Sequence, residues 1–279
     1  MSMSKSLDRP FVAVNGGKTV EQIKGIAFSF ASEFRSLIHT PVLGFLVSFS
    51  TLNGSNTFND SRYPKLKDLP TLLRNVNGDA HAVISYKTDF AHFYRDVESI
   101  LSYEDIYKNG LCNGIDLNIA WPSLDEILRV RERFSDLKII MRVSTEANGR
   151  QLDVKEVADR AEAYLPVVNY ILIDKPEGHK PDHSIELYGE MDGRGVRCIG
   201  FCGAIGSDSA AHLVRSLRGN PKNHGFSIVV QDAVRSRENT PGNSISESTL
   251  DMGKVNSFLR STTSALYESQ VLWLIHQPA

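Results

Sequence analysis

The sequence predicts an α/β chain closed into a single (β/α)8 TIM barrel, and two observations carry this. Eight short apolar runs recur from Phe11 onward: FVAV (11–14), PVLGFLVSFS (41–50), HAVISYKT (81–88), GIDLNIAW (114–121), KIIMRV (138–143), YILID (170–174), VRCIGF (196–201) and FSIVV (226–230). Between them lie stretches with helical spacing of apolar residues, such as SLDEILRVRERF (123–134) and DVKEVADRAEAYL (153–165). Strand–helix alternation eight times over is what a closed parallel barrel requires. The 279 residues compare with roughly 250 for one such barrel. Residues 11–279 are therefore assigned to one barrel domain, and residues 1–10 to a loose N-terminal tail.

Parallel barrel strands are covered on both faces and read as nearly continuous apolar runs. PVLGFLV, KIIM, YILI and SIVV have that character. The first helix is expected over 19–38, where Val20, Ile23, Ile26, Ala27, Phe30, Phe34 and Leu37 recur at helical intervals. Gly25 weakens it, since mid-helix glycine costs ~1 kcal/mol relative to alanine. GIDLNIAW alternates: Asp116, Asn118 and Ala120 share one face, and Ile115, Leu117 and Ile119 the other. The aliphatic set is expected to meet the helices, which points the polar set into the barrel. Arg142 interrupts its strand in the same way. Buried polar groups need partners. These residues form either an internal Asp–Arg or Asn–Arg network or a ligand-facing layer.

Two connections are long, 51–70 after the second strand and 231–251 after the eighth. Loops beyond ~12–15 residues are uncommon unless functional or disordered. Both leave the carboxyl ends of strands, where barrel enzymes place substrate loops.

Lys and Arg number 31 against 33 Asp and Glu, a formal charge of −2. That balance lacks the basic field of a nucleic-acid or anionic-membrane binder, so neither partner is expected. Cys112, Cys198 and Cys202 have no metal-ligand spacing and read as reduced thiols of an intracellular protein. The polar start MSMSKSLDRP does not resemble a signal peptide, and no run approaches ~18 apolar residues. A cytoplasmic protein is expected. The eight histidines make no HxH or HExxH cluster, and GxSxG, GxGxxG and P-loop patterns are missing. Neither a metal nor an organic cofactor is expected. The partner is a small-molecule ligand; monomer and homodimer both stay open.

Strand ends supply the candidate site. Asn15-Gly16-Gly17-Lys18 follows the first strand, where glycines allow close backbone approach and Lys18 can bind an anion; a simple turn into the helix is the other reading. Asp174 ends an apolar strand, and burial raises a carboxyl pKa toward values useful for proton transfer; a helix cap or an ion pair with Lys175 or Lys180 is its alternative. Cys202-Gly203-Ala204-Ile205-Gly206 leads to Ser207-Asp208, a helix N-cap pair, so an anion site is feasible there. Gln231 and Asp232 close the eighth strand, and Asp232 would oppose a phosphate dianion.

These residues resemble the phosphoribosylanthranilate isomerase family, which converts an aminoaldose phosphate to an aminoketose in tryptophan biosynthesis. The likeness covers most of the chain and is best in the second half. LGFLVSFS followed by Ser61-Arg62-Tyr63 is similar to the family's G-F-x-F…S-x-R-Y segment, which implies that Arg62 anchors a carboxylate. YILID resembles the strand ending in the family's general acid, which implies Asp174. GFCGAIGSDSAAHLV is similar to its phosphate turn, and PGNSISESTLDMGKVNSFL to its closing segment, with Lys254 and Phe258 in register. Two positions depart. Asn15 stands at the place of the family's cysteine base, and an amide cannot abstract a proton. VVQDAVR replaces the phosphate-binding D-V-S-S-G-V-E. The resemblance implies a divergent isomerase-like barrel for a small carboxylated or phosphorylated metabolite, with Asp174 as acid and Cys202 as a replacement base. Asn15, Lys18, Arg62, Asp116, Arg142, Gly203 and Asp232 would bind substrate. Different chemistry on a carboxylated molecule, or a catalytically silent binding or assembly barrel, are the alternatives.

Overall fold

The structure, a computed structural model, describes residues 7–34, 38–54, 62–76, 80–88, 92–147, 150–175, 181–217, 225–238 and 247–275. Eight parallel strands form the barrel: β1 (Phe11–Asn15), β2 (Thr40–Ser48), β3 (His81–Lys87), β4 (Gly114–Ala120), β5 (Lys138–Val143), β8 (Tyr170–Lys175), β9 (Ile199–Gly203) and β10 (Ser227–Val230). A small hairpin, β6 (Glu146–Ala147) with β7 (Arg150–Gln151), follows β5. The barrel closes in the order β1-β10-β9-β8-β5-β4-β3-β2. Around it run α1 (Val20–Glu33), α3 (Leu69–Arg74), α4 (Tyr94–Ser102), α5 (Leu124–Arg133), α6 (Val154–Glu162), α7 (Pro181–Gly193), α8 (Ser207–Leu217) and α9 (Met252–Ile275). The single turn α2 (Phe49–Leu52) follows β2, and an antiparallel pair, β11 (Arg235–Glu238) and β12 (Glu247–Leu250), precedes α9. No helix among the described residues is long and apolar enough to cross a membrane.

Alternation along each strand sorts its side chains into two layers. Val12, Leu43, Ile115, Leu117, Met141 and Ile173 pack outward with the helices. Phe11, Ala13, Val42, Val83, Ile140 and Leu172 fill the barrel interior. The polar face of GIDLNIAW thus points inward, as its aliphatic face predicts. A register shift between Leu117 and Ala120 against β5 ends that alternation, and Ala120 is exposed.

Local chemistry moves several expected boundaries. The first helix starts where the Thr19 side chain accepts from the Gln22 N–H and stops at Glu33, because Phe34 is extended; residues 35–37 lie outside the described set. The second strand ends at Ser48, which forms a capping box with Thr51 and starts α2. The seventh strand begins at Ile199 rather than Val196: Cys198, at φ +59, occupies the left-handed region and breaks the extended run. The start of α8 at Ser207 makes Ser207 the first helical residue rather than a cap.

The expectation of a loose tail fails for residues 7–10. Leu7 is buried in the barrel interior, and the Tyr170 hydroxyl donates to the carbonyls of Leu7 and Arg9, both at 2.9 Å. The open amino end of the barrel needs an apolar plug, and this segment supplies it.

His39 packs at the same end, with Nε2 3.0 Å from the Phe226 carbonyl. Burial pushes its pKa down to about 4, against the pull of that hydrogen bond. The folded imidazole is therefore neutral where the unfolded one takes up a proton. Its contribution is present above pH ~6.5 and is lost as pH falls toward 4, about 3 kcal/mol over that window. Urea midpoints from pH 7 to 4 should fall more steeply for the native chain than for His39→Gln. Equal slopes would place the acid sensitivity elsewhere.

Candidate functional site

The floor of the barrel mouth is an ion pair. Arg142 Nη2 lies 2.6 Å from Asp116 Oδ2 and Nε 3.1 Å from Oδ1. Ser85, beside Asp116 on the neighbouring strand, donates to Oδ2 at 2.8 Å. Both charges are buried. Burial works against the guanidinium, yet Asp116, with Cys202 and Asp174, holds its pKa above the ordinary arginine value. The two readings of the polar layer thus combine: Asp116 lies beneath the surface, while the Arg142 it holds lines an open cavity.

That cavity has a volume of about 200 Å³ at the carboxyl ends of the strands. Asp174 and Cys202 are paired neighbours on β8 and β9 and line one wall. The Cys202 thiol donates to the Asp174 carboxylate. Burial raises the Asp174 pKa; Arg142 pulls it down, Asp116 pushes it up, and the thiol's hydrogen bond pulls it down. Burial also holds the Cys202 thiol well above its usual pKa. A fully buried thiol with a raised pKa keeps its proton near neutrality. The cap and the lysine pair that were the alternatives for Asp174 fall on the Lys175 side chain and on residues 176–180, outside the described set.

The opposite rim comes from the long connections. Arg62 Nη1 lies 3.5 Å from Asp232 Oδ1, with side chains 33% and 67% exposed. Arg62 also sits over the Tyr63 ring, 5.8 Å from its centroid. Gly203 and Gln231 complete that side. Residues 55–61 and 239–246 of these connections lie outside the described set. Arg62, Arg142, Asp174, Cys202, Gly203 and Asp232 therefore meet at one cavity, as expected of site residues. Tyr63, Lys87 and Asn118 also line it. Lys87 carried a readable signal, a charge at the carboxyl end of a strand two residues beyond inward Ser85.

Three expected ligand residues do not line the cavity. Asp116 acts through Arg142. Asn15 is buried with Oδ1 against Gly44, where an added Cβ would come within 1.7 Å of it. Lys18 stands at the head of α1, its backbone N–H donating to Gln22 Oε1. The glycine turn after β9 uses its own donors: Ile205 N–H reaches Gly203 O, and Gly206 N–H reaches Ser209 Oγ, each at 2.8 Å. Lys254 Nζ donates to the Arg235 carbonyl at 2.6 Å, and Phe258 is buried. Among the described residues no group of three His, Cys, Asp or Glu side chains could hold a metal ion.

Removing one partner of a buried ion pair strands the other charge. Asp116→Ala should cost about 3–5 kcal/mol in chemical denaturation. A loss below about 1 kcal/mol, the range of exposed pairs, would mean that water reaches Arg142 and that the floor is not closed.

No protein-family model and no curated protein matches the chain. Solved structures do match. The phosphoribosyl anthranilate isomerase of Thermotoga maritima superposes with a TM-score of 0.60 at 14% identity, covering 91% of this chain and 99% of that one. The enzyme of Thermococcus kodakaraensis gives 0.58 at 12% identity, over 90% and 98% of the two chains. A phosphoribosyl anthranilate isomerase in complex with reduced 1-(o-carboxyphenylamino)-1-deoxyribulose 5-phosphate gives 0.59 at 14%, over 91% and 99%. The resemblance seen in the residues is thus matched by a shared (β/α)8 fold along nearly the whole of each neighbour.

Proposed function

We propose that the barrel mouth binds a small carboxylated metabolite and that Asp174 donates a proton to it, in the manner of an aldose–ketose isomerase. The convergence of Arg62, Lys87 and Arg142 with Asp174 on one cavity supports this reading. Lys87 pairs with no described carboxylate and offers the mouth a cation for an anionic ligand. A carboxyl group whose pKa is raised keeps its proton closer to neutrality, as a general acid must. A carboxylate is favoured over a phosphate as the recognised group. Asp232, exposed beside Arg62 on the rim, would oppose a phosphate dianion more strongly than a singly charged carboxylate. The ligand of the solved neighbour carries, by its name, both a carboxyl group and a phosphate; this cavity suits the carboxyl end.

A second reading is a barrel that binds without turnover. It is favoured by the amide of Asn15 at the end of β1 and by the buried, proton-donating thiol of Cys202, which leave the isomerase without the usual kind of base.

Two measurements separate these readings. Calorimetric titration with butyrate should show binding that Arg62→Met and Lys87→Met each weaken about tenfold, the order of one charge-assisted hydrogen bond. Inorganic phosphate binding more tightly than butyrate would sink the carboxylate preference. Fluorescence-monitored turnover of phosphoribosylanthranilate, lost in Asp174→Asn and falling as pH rises through the raised Asp174 pKa, would support isomerase chemistry. Butyrate binding with no turnover would leave the silent barrel.

A further inference from the structure

We propose that the ligand of this cavity is a small zwitterion, its carboxylate facing Lys87 and its amino group facing Asp174. The proposal rests on the carboxylate-binding reading above and narrows it. It follows from pairing off the charges around the cavity. Arg142 is neutralised from below by Asp116 through two hydrogen bonds of 2.6 and 3.1 Å. Arg62 faces Asp232 across the rim at 3.5 Å. One cation and one carboxyl group remain.

Lys87 is the cation. It ends β3, is exposed and makes no ion pair among the described residues. Asp174 is the carboxyl group. Its only described donor is the uncharged Cys202 thiol, and the nearby guanidinium is already spent on Asp116. Two carboxyl groups around one arginine leave a place for a second cation, which no described side chain supplies there. In the ring of strands, β3 and β8 are separated by β4 and β5, so the two groups stand on different walls of one cavity.

A simple carboxylate would satisfy only Lys87, and a simple amine only Asp174. A molecule bearing both groups satisfies both, in a partly enclosed site where charge pairing is stronger than in water. An ammonium that meets the Asp174 carboxylate and a neutral amine that takes the proton of the Asp174 carboxylic acid arrive at the same ion pair. A cavity of about 200 Å³ equals roughly seven water volumes at ~30 Å³ each. That space fits an amino acid of a few carbons.

The test is calorimetric titration of the full chain with glycine, β-alanine, 4-aminobutyrate, butyrate and butylamine, chain length finding the span between the two groups. One amino acid of the series should bind at least about tenfold more tightly than butyrate and butylamine, as one added charge-assisted hydrogen bond implies. The isosteric Asp174→Asn should erase that preference, so that the amino acid binds no more tightly than butyrate; Lys87→Met should weaken both carboxylate classes. Butyrate bound as well as every amino acid, and weakened by Lys87→Met, would overturn the zwitterion and leave the carboxylate site standing. A preference that survives in Asp174→Asn would overturn the assignment of the amino group to Asp174. No binding of any carboxylate would overturn both readings together. Unchanged circular dichroism and melting of each variant guard against loss of fold.

Discussion

The buried pair of Arg142 and Asp116 governs what the barrel mouth can be. Taking two charges out of water costs several kcal/mol per ion unless geometry and further hydrogen bonds compensate. Here the guanidinium grips both carboxylate oxygens and Ser85 satisfies one of them again. That arrangement demands that β3, β4 and β5 hold one register, and it pins a cation at the centre of the floor. Its field reaches the groups opposite. Arg142 opposes the effect of burial on both Asp174 and Cys202, while Asp116 reinforces it. Burial thus sets the raised proton affinity of the wall, and the pair adjusts it from both directions.

The mouth is asymmetric for a steric reason. From the hairpin after β10, Arg235 donates Nη2 to the Gly16 carbonyl at 3.0 Å. Gly16 has φ +102, and a Cβ there would come within 1.9 Å of that nitrogen. Beside it Asn15 covers Gly44. The guanidinium and the amide together occupy the end of β1 and the middle of β2 beside it. The open volume is pushed onto the arc from β3 round to β10, together with the rim from Arg62 and Tyr63. The hairpin is itself tied down, by Lys254 on the Arg235 carbonyl and by Ser236 on Asp251. The long eighth connection is thus part of the mouth wall.

The barrel keeps the fold of its structural neighbours along nearly the whole of each. An amide at the end of the first strand and a buried thiol across the mouth remove the simplest proton acceptors. In the turn after β9 the Ile205 N–H closes on the Gly203 carbonyl and the Gly206 N–H on Ser209 Oγ. What remains is a cationic floor, one carboxyl group in an apolar wall and a rim whose own charges are paired.

The eight strands, their order along the chain and the inward direction of Asp116, Asn118 and Arg142 were legible in the sequence. They depend on a local period of two and on runs apolar enough to be covered on both faces. Asp174 and Asp232 were legible as strand-end groups for the same reason, and Arg62 only through the family resemblance of Ser61-Arg62-Tyr63. The boundaries moved where a single side chain or dihedral intervened, as with Ser48, Phe34 and Cys198. Which inward groups meet was not legible. That Asp116 belongs to Arg142, that Arg62 faces Asp232 across 170 residues, and that Arg235 rather than a ligand sits against Gly16 all follow from register and closure of the ring. Alternation along a strand is a local property, whereas pairing across a barrel is settled only when the strands have taken their places.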